Sequence, residues 1–330
     1  MRKLRVLIGL AGSLLFLYLA FRGQDLGAIG SALRRANYWY VVPAVAVFFA
    51  GIWVRSLRWA FLLRPVERFT GRGLFRVLVI GITANNVLPL RSGELVRSYV
   101  LSTKSRVKNA SALATIAVER IFDGMTMLAF VLIASLSIGL TSQVREVAVV
   151  GGVLFGSILI GLIVVSHGRA RNWLIDRLVR VLPERIGNPV SRAAHAFLDG
   201  LGILRSREDL VLVCLTSVAA WILEASVYAL ISVAFGLGLS PAAILLVTAV
   251  ANLATLVPAA PGYVGAFEAG VVLALTGAIG VPHDLALSYA IAVHAALYFP
   301  VTVVGLYFWG RESLSWNAAR ARMTPDQAGD

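Results

Sequence analysis

The chain has 330 residues, 58% of them hydrophobic and only 14% charged. So little charge cannot cover the surface of a soluble domain, and the continuous rather than alternating apolar runs disfavour a membrane β-barrel. The net charge of +13 would suggest nucleic acid in a soluble protein, but here the basic residues cluster between apolar segments, where they set topology and meet anionic lipid.

In chain order, the opening "MRKLRVLIGLAGSLLFLYLAFRG" resembles a signal peptide. Its apolar run is long, however, and no A-x-A cleavage site follows, so it reads as a retained first helix over about 4–21. A connector occupies 22–38. A second segment, about 39–63, is entered through Tyr38, Trp39 and Tyr40, which suit an aromatic belt; Arg55 and Arg58 near its far end are expected to snorkel to the interface. The apolar stretch 74–90 then breaks at "NNVLPLRSGELVR". The segment 110–140 would be about 45 Å long against a hydrocarbon core of about 30 Å, so it must tilt or begin outside the core. A further segment covers 147–166, where Gly152 and Gly156 fit a small-xxx-small packing pattern. Residues 167–209 are polar and basic, with a helical apolar pattern at Phe197, Leu201 and Leu204, and read as helices lying on the membrane surface. After a segment at 210–235, the stretch 241–257 breaks at "PAAPGYVGAFE"; 263–280 is again apolar, 285–309 forms the last segment, and the tail 311–330 is expected to be disordered.

The distribution of Lys and Arg decides how the two interrupted stretches are read. With a cytoplasmic N-terminus, a spanning 74–103 would put its two basic flanks on opposite sides, whereas a re-entrant hairpin keeps both in the cytoplasm. The stretch 241–280 mirrors this, because its flanks "GLGLS" and "GVPHD" carry no Lys or Arg. With both as hairpins there are about six full spans. Four basic residues (Arg22, Arg34, Arg35, Arg145) then fall outside, three (Arg55, Arg58, Arg120) within spans, and the remaining 23 of 30 in cytoplasmic segments. The expected fold is therefore all-α and polytopic: one membrane domain over 1–310, two opposed re-entrant hairpins, both termini cytoplasmic. The two tips share a loose pattern, Asn86, Pro89, Gly93 and Glu94 in the first and Asn252, Pro258, Gly265 and Glu268 in the second, with Pro261 and Gly262 between. Opposed broken helices in two halves point to an inverted-repeat transporter.

A helix broken in lipid leaves backbone groups unpaired, so such breaks survive only inside protein or beside a wet cavity. Pro89 and Gly93 supply the break, Ser92 is placed to cap the returning helix, and Glu94 lies in its first turn. Arg91 and Arg97 are candidate partners for a lipid phosphate at that helix terminus; a loop whose arginines only enforce topology is the alternative. In "ERIFD", Glu119 and Asp123 share a helix face and Arg120 sits about 100° around. Ionisable residues in an apolar span should face the bundle, either as ion pairs holding helices together or as contacts to substrate. Glu224 is mid-span, a candidate proton or ion site, read either as a protonated acid or as a partner of Arg120. His294 reads as a helix–helix hydrogen bond. The four histidines lack metal-like spacing, and the single Cys214 excludes an intrachain disulfide.

The stretches "NNVLPLRSGELVRSYVL", "ATIAVERIFDGM" and "PAAPGYVGAFEAG" resemble the lysylphosphatidylglycerol synthase transmembrane family, also called flippase-like. Its N-x-x-P-x-R-x-G-E-x-x-R pattern falls on Asn86, Pro89, Arg91, Gly93, Glu94 and Arg97, and its E-R-x-x-D on Glu119, Arg120 and Asp123. The late P-G-G-x-G-x-x-E departs, with Tyr263 where a second glycine is expected. The resemblance implies a module that moves a lipid between leaflets. Fused relatives carry a soluble domain that adds lysine to phosphatidylglycerol; none is expected here, so lysyl transfer by this chain alone is not.

The expected function is transbilayer movement of an anionic phospholipid or related envelope lipid in a bacterial inner membrane. An integral-membrane enzyme, or a non-catalytic partner of envelope-lipid synthesis, is the alternative. The lipid head-group contacts are placed at Asn86, Arg91, Glu94, Arg97, Glu119, Arg120 and Asp123. Expected partners are anionic lipids, a lipid-modifying enzyme or further copies of the chain, with no cofactor, no metal and no nucleic acid.

Overall fold

The computed structural model describes residues 26–88, 92–139, 142–166, 184–256 and 261–311. The first apolar segment, Pro89, Arg91, Pro258, residues 167–183 and the tail after Arg311 lie outside them. The regular structure of the described residues is helical throughout. The helices are α1 (Leu26–Arg35), α2 (Val41–Leu63), α3 (Gly71–Val87), α4 (Gly93–Lys104), α5 (Asn109–Ile138) and α6 (Ser142–Ser166). They continue as α7 (Glu184–Gly200), α8 (Arg207–Ala234), α9 (Pro241–Ala254), α10 (Ala266–Ala274) and α11 (His283–Arg311).

Their ends follow local chemistry. Thr70, Ser206 and Ser240 cap α3, α8 and α9 by accepting the N–H groups of Gly73, Asp209 and Ala243. Pro241 opens α9, where its missing N–H costs nothing, and Gly139 ends α5 at a φ of 65°. Among the described residues, five stretches are long and apolar enough to cross a bilayer: Tyr38–Leu63, Asn109–Ile138, Arg207–Ala234, Pro261–Ile279 and His283–Arg311. The chain is a polytopic helical membrane protein.

Both interrupted stretches fold as helix–turn–helix hairpins. In the first, α3 and α4 lie back to back so closely that a Cβ on Gly93 would stand 2.1 Å from the Gly81 carbonyl oxygen. In the second, Gly270 of α10 meets Val250, Ala251 and Ala254 of α9 in the same way. Of the second arm, only the nine residues of α10 and a five-residue π-helical turn, Leu275–Ile279, are regular helix. That is roughly 21 Å, short of a hydrocarbon core of about 30 Å. The arm thus reaches the length of a span only by including the turn at Pro261–Tyr263.

The remaining helices wrap the hairpins. α2 packs along α8, α9 against α5, and α11 against α3. At the α11–α3 contact, Gly305 lets the helices close until Thr83 Oγ1 donates to the Val301 carbonyl at 3.1 Å. The described part of the expected surface helices, α7 and a 3₁₀ turn at Leu201–Arg205, covers one end of the bundle. Leu198, Leu201, Ile203 and Leu204 are buried there, and Ser111 Oγ of α5 donates to the Ala196 carbonyl at 2.6 Å. The packing expected of Gly152 and Gly156 does not occur: a Cβ at either position would meet nothing within 4 Å. Tight glycine contacts occur elsewhere instead, Gly93, Gly270 and Gly305 among them.

Candidate functional site

The two hairpin tips meet. Tyr298 of α11 donates its hydroxyl to the Asn86 carbonyl in the first tip at 3.2 Å. Gly262 of the second tip packs on the Tyr298 ring so tightly that a Cβ there would stand 2.4 Å away, and 3.4 Å from the same Asn86 oxygen. Beside this junction lies a cavity of about 560 Å³. Its wall includes Asn86, Gly93, Glu94 and Arg97 of hairpin 1, and Glu119, Arg120 and Asp123 of α5. Asn252 and Gly262 of hairpin 2, Glu224 of α8, Arg55 of α2 and His294 of α11 also line it. Residues expected to act together from three separate motifs therefore share one space.

Helical spacing explains the convergence. Arg55 and Arg58 lie one turn apart on α2, Glu119 and Asp123 one turn apart on α5, and Ser217, Trp221 and Glu224 follow each other down one face of α8. These faces meet in a charged network. Arg97 grips Glu119 with two parallel bonds of 3.0 and 2.9 Å, its guanidinium stacked 3.7 Å from the Trp59 ring centre. Arg58 reaches Asp123 at 2.7 Å, Glu119 at 3.3 Å and the Ser217 hydroxyl at 3.0 Å. Trp221 Nε1 donates to the same Asp123 oxygen at 2.8 Å. Arg55 pairs with Glu224 at 2.6 Å, and Asn252 of hairpin 2 donates to the other oxygen of Glu224 at 3.1 Å. A carboxylate buried without such partners would cost several kcal/mol, so the network is a condition for these charges to sit among apolar helices.

Arg120 is the exception in exposure. It pairs with Glu119 and, at 3.2 Å, with Asp123, yet 47% of its side chain stays open, whereas Arg58 is fully buried and Arg97 nearly so. Arg120 also lines the cavity. Among the described arginines of the network, it is the one that can donate to an incoming anion without leaving its carboxylates.

Three expectations are corrected here. Arg55 and Arg58 do not snorkel: α5 and α8 cover the last turns of α2, so both guanidinium groups turn inward to carboxylates. The partner of Glu224 is Arg55, not Arg120. Ser92 occupies the N-cap of α4 without a side-chain cap bond, and Asn85 Oδ1 accepts the Gly93 N–H at 2.7 Å instead. Of the two roles open to Glu119 and Asp123, the structure shows the ion pairs, and His294 makes hydrogen bonds between elements. Its Nδ1 lies 2.6 Å from Glu268 Oε1 and its Nε2 2.9 Å from the Gly262 carbonyl. Sequence reasoning had assigned no role to Asn85, Trp59, Trp221 or Tyr298. The signal that could have found Arg55 and Arg58 was available: charge within a span is functional by default.

The second tip keeps its turn despite the missing glycine. Tyr263 has a φ of 61°, between Gly262 at 75° and Gly265 at 89°. The backbone thus adopts the left-handed geometry a glycine would favour, at a cost on the order of 1–2 kcal/mol. Glu268 offsets this by accepting the Gly265 N–H at 2.7 Å. Pro261 opens the same turn. Among the described residues, no cluster of His, Cys, Asp and Glu could hold a metal ion.

Apolar helices around a charge-lined internal cavity, with two hairpin tips meeting beside it, define a polytopic membrane protein with a buried polar site. The chain belongs to the family described as the lysylphosphatidylglycerol synthase TM region, which matches residues 6–305. It is similar to two proteins of Methanothermobacter thermautotrophicus called UPF0104 membrane protein. One is 28% identical over 85% of this chain and 87% of the relative, the other 28% identical over 84% of each. It is also similar to the glycosyltransferase AglD of Haloferax volcanii, 26% identical over 92% of this chain and 54% of that protein.

Proposed function

We infer that the protein carries the head group of an anionic phospholipid, or a related envelope lipid, across the bilayer through the cavity between the two hairpin tips. The observation that carries this reading is the half-open Arg120 in a network whose other described arginines are buried against carboxylates. A phosphate entering the cavity meets one accessible guanidinium, while Glu94 and the amides of Asn86 and Asn252 line the same wall. The paired charges keep the path polar without a large net charge, so the site need not hold the lipid tightly. In this reading each hairpin acts as a re-entrant gate, the first closing the cavity from one side and the second from the other.

The test is reconstitution in liposomes with a fluorescent acidic phospholipid, following its loss from the outer leaflet. Arg120→Ala should slow transfer roughly ten- to a hundredfold, the worth of a charge-assisted contact. Unchanged transfer in both Arg120→Ala and Glu94→Gln would remove the site assignment. A second reading makes the chain the membrane partner of an enzyme that modifies lipid, and it is supported by the description of the family and by the name of the Haloferax relative. Co-purification with a transferase, without lipid movement by the purified chain, would favour it.

A further inference from the structure

We propose that Glu268 and His294 form a proton-binding site that pins the tip of hairpin 2, so that uptake and release of one proton drives the opening of the cavity. The coupling to lipid rests on the transport reading above; the proton site itself does not.

The two ring contacts of His294 fix the number of hydrogens. His294 Nε2 lies 2.9 Å from the Gly262 carbonyl oxygen, which can only accept, so Nε2 carries a hydrogen. Nδ1 lies 2.6 Å from Glu268 Oε1, and that contact also needs a hydrogen, held by either the ring or the carboxyl. The couple therefore holds one proton more than a neutral imidazole beside a carboxylate. The second oxygen of Glu268 accepts the Gly265 N–H at 2.7 Å, so both ends of the strained turn Gly262–Gly265 are tied to the couple.

Loss of the proton sets lone pair against lone pair at one of the two histidine contacts. If the remaining hydrogen stays on Nδ1, Nε2 faces the Gly262 carbonyl and the tip is released. If it stays on Nε2, Nδ1 faces a full carboxylate at 2.6 Å. Either way the held tip belongs to the protonated couple: it is present at low pH and is lost as pH rises through the couple's titration. The proton has a path, because His294 lines the cavity. The mechanical link has one too. The Tyr298 ring stands edge-on to His294 with centroids 5.8 Å apart, supports Gly262, and holds the Asn86 carbonyl of hairpin 1.

Titratable and polar groups of several elements face the couple. On its own helix the titratable neighbour is Tyr298. From α8 come Tyr228, against the Phe267 ring that stacks on His294, and Glu224, held by Arg55 of α2. α3 and α9 present the neutral Asn86 and Asn252, and the charges of α4 and α5 across the cavity belong to the network already described.

The test uses the full chain in liposomes, with Cys214→Ser and a nitroxide on Leu256→Cys, an exposed position on the cavity wall beside the second tip. Between about pH 5 and 9, label mobility should rise in one single-proton step. Glu268→Gln is the decisive variant. Its amide can donate to a neutral His294 and accept from Gly265, so every bond of the tip survives without the extra proton. It should fold, stay immobile at all pH values and show no step. His294→Gln should also lack the step, and both are checked for folding by size exclusion. In transport, a gradient of about one pH unit should sustain up to a tenfold leaflet ratio of a fluorescent acidic phospholipid in the wild type and none in Glu268→Gln. A flat wild-type profile, or the same step in Glu268→Gln, overturns the proposal even if lipid moves. A wild-type step absent in Glu268→Gln, with no lipid movement under any condition, leaves the proton site standing and overturns the transport reading.

Discussion

Glu119→Gln removes the hub of the buried network. Its carboxylate accepts both terminal nitrogens of Arg97 at 3.0 and 2.9 Å, Arg58 at 3.3 Å, and Arg120. The glutamine keeps the shape and one acceptor oxygen but loses the charge, so Arg97 is left without a carboxylate while Arg58 and Arg120 keep Asp123. Charge centres about 4 Å apart interact by about 4 kcal/mol at an effective dielectric constant of about 20. Removing one member of a buried pair usually costs 3–5 kcal/mol, because the other charge stays uncompensated. We expect a loss of about 4 kcal/mol, measured by reversible denaturant unfolding in mixed micelles. Combining Glu119→Gln with Arg97→Gln should recover part of that loss, since the double variant has one fewer orphaned cation. The control is Arg64–Asp209, a 2.8 Å pair whose arginine is 44% exposed; Asp209→Asn should cost no more than about 1 kcal/mol. A loss below about 1 kcal/mol for Glu119→Gln, or no recovery in the double variant, would refute the view that these charges depend on one another.

Other outcomes follow from packing and topology. Gly93→Ala drives a Cβ into the Gly81 carbonyl and the Asn85 side chain, so it should destabilise hairpin 1 by about 3 kcal/mol in the same assay. Gly152→Ala meets nothing and should instead stabilise α6 by about 0.5–1 kcal/mol. Arg58→Lys keeps the charge but cannot reach Asp123, Glu119 and Ser217 together; a thermal melt should show it clearly less stable than Arg64→Lys. Single cysteines at Lys104 and His283, in a Cys214→Ser background, should label from opposite sides of sealed vesicles. Labelling from one side would overturn the opposed-hairpin topology.

The charged residues of "ERIFD" and of the hairpins show how far the sequence reached and where it stopped. By itself it determined the helices and their breaks, because both are local. An apolar run of fixed length must be a helix in lipid, and Pro, Gly and Asn at its end must interrupt it. The segment expected at 110–140 is α5, Asn109–Ile138, and the two interrupted stretches are the two hairpins. The sequence also said that Glu119, Arg120 and Asp123 face inward, since charge in lipid has nowhere else to go. Only the tertiary structure decided the partners. Arg55 and Glu224 are 169 positions apart, and Arg58 and Asp123 65 apart. Whether an arginine near a helix end reaches for water or turns inward depends on which helices cover it. In the same way, Tyr263 holds a glycine's backbone angle because Glu268, His294 and Tyr298 fix the turn around it. No local pattern carries that information, because the free energy of a buried charge or a strained residue is set by neighbours that the fold alone brings near.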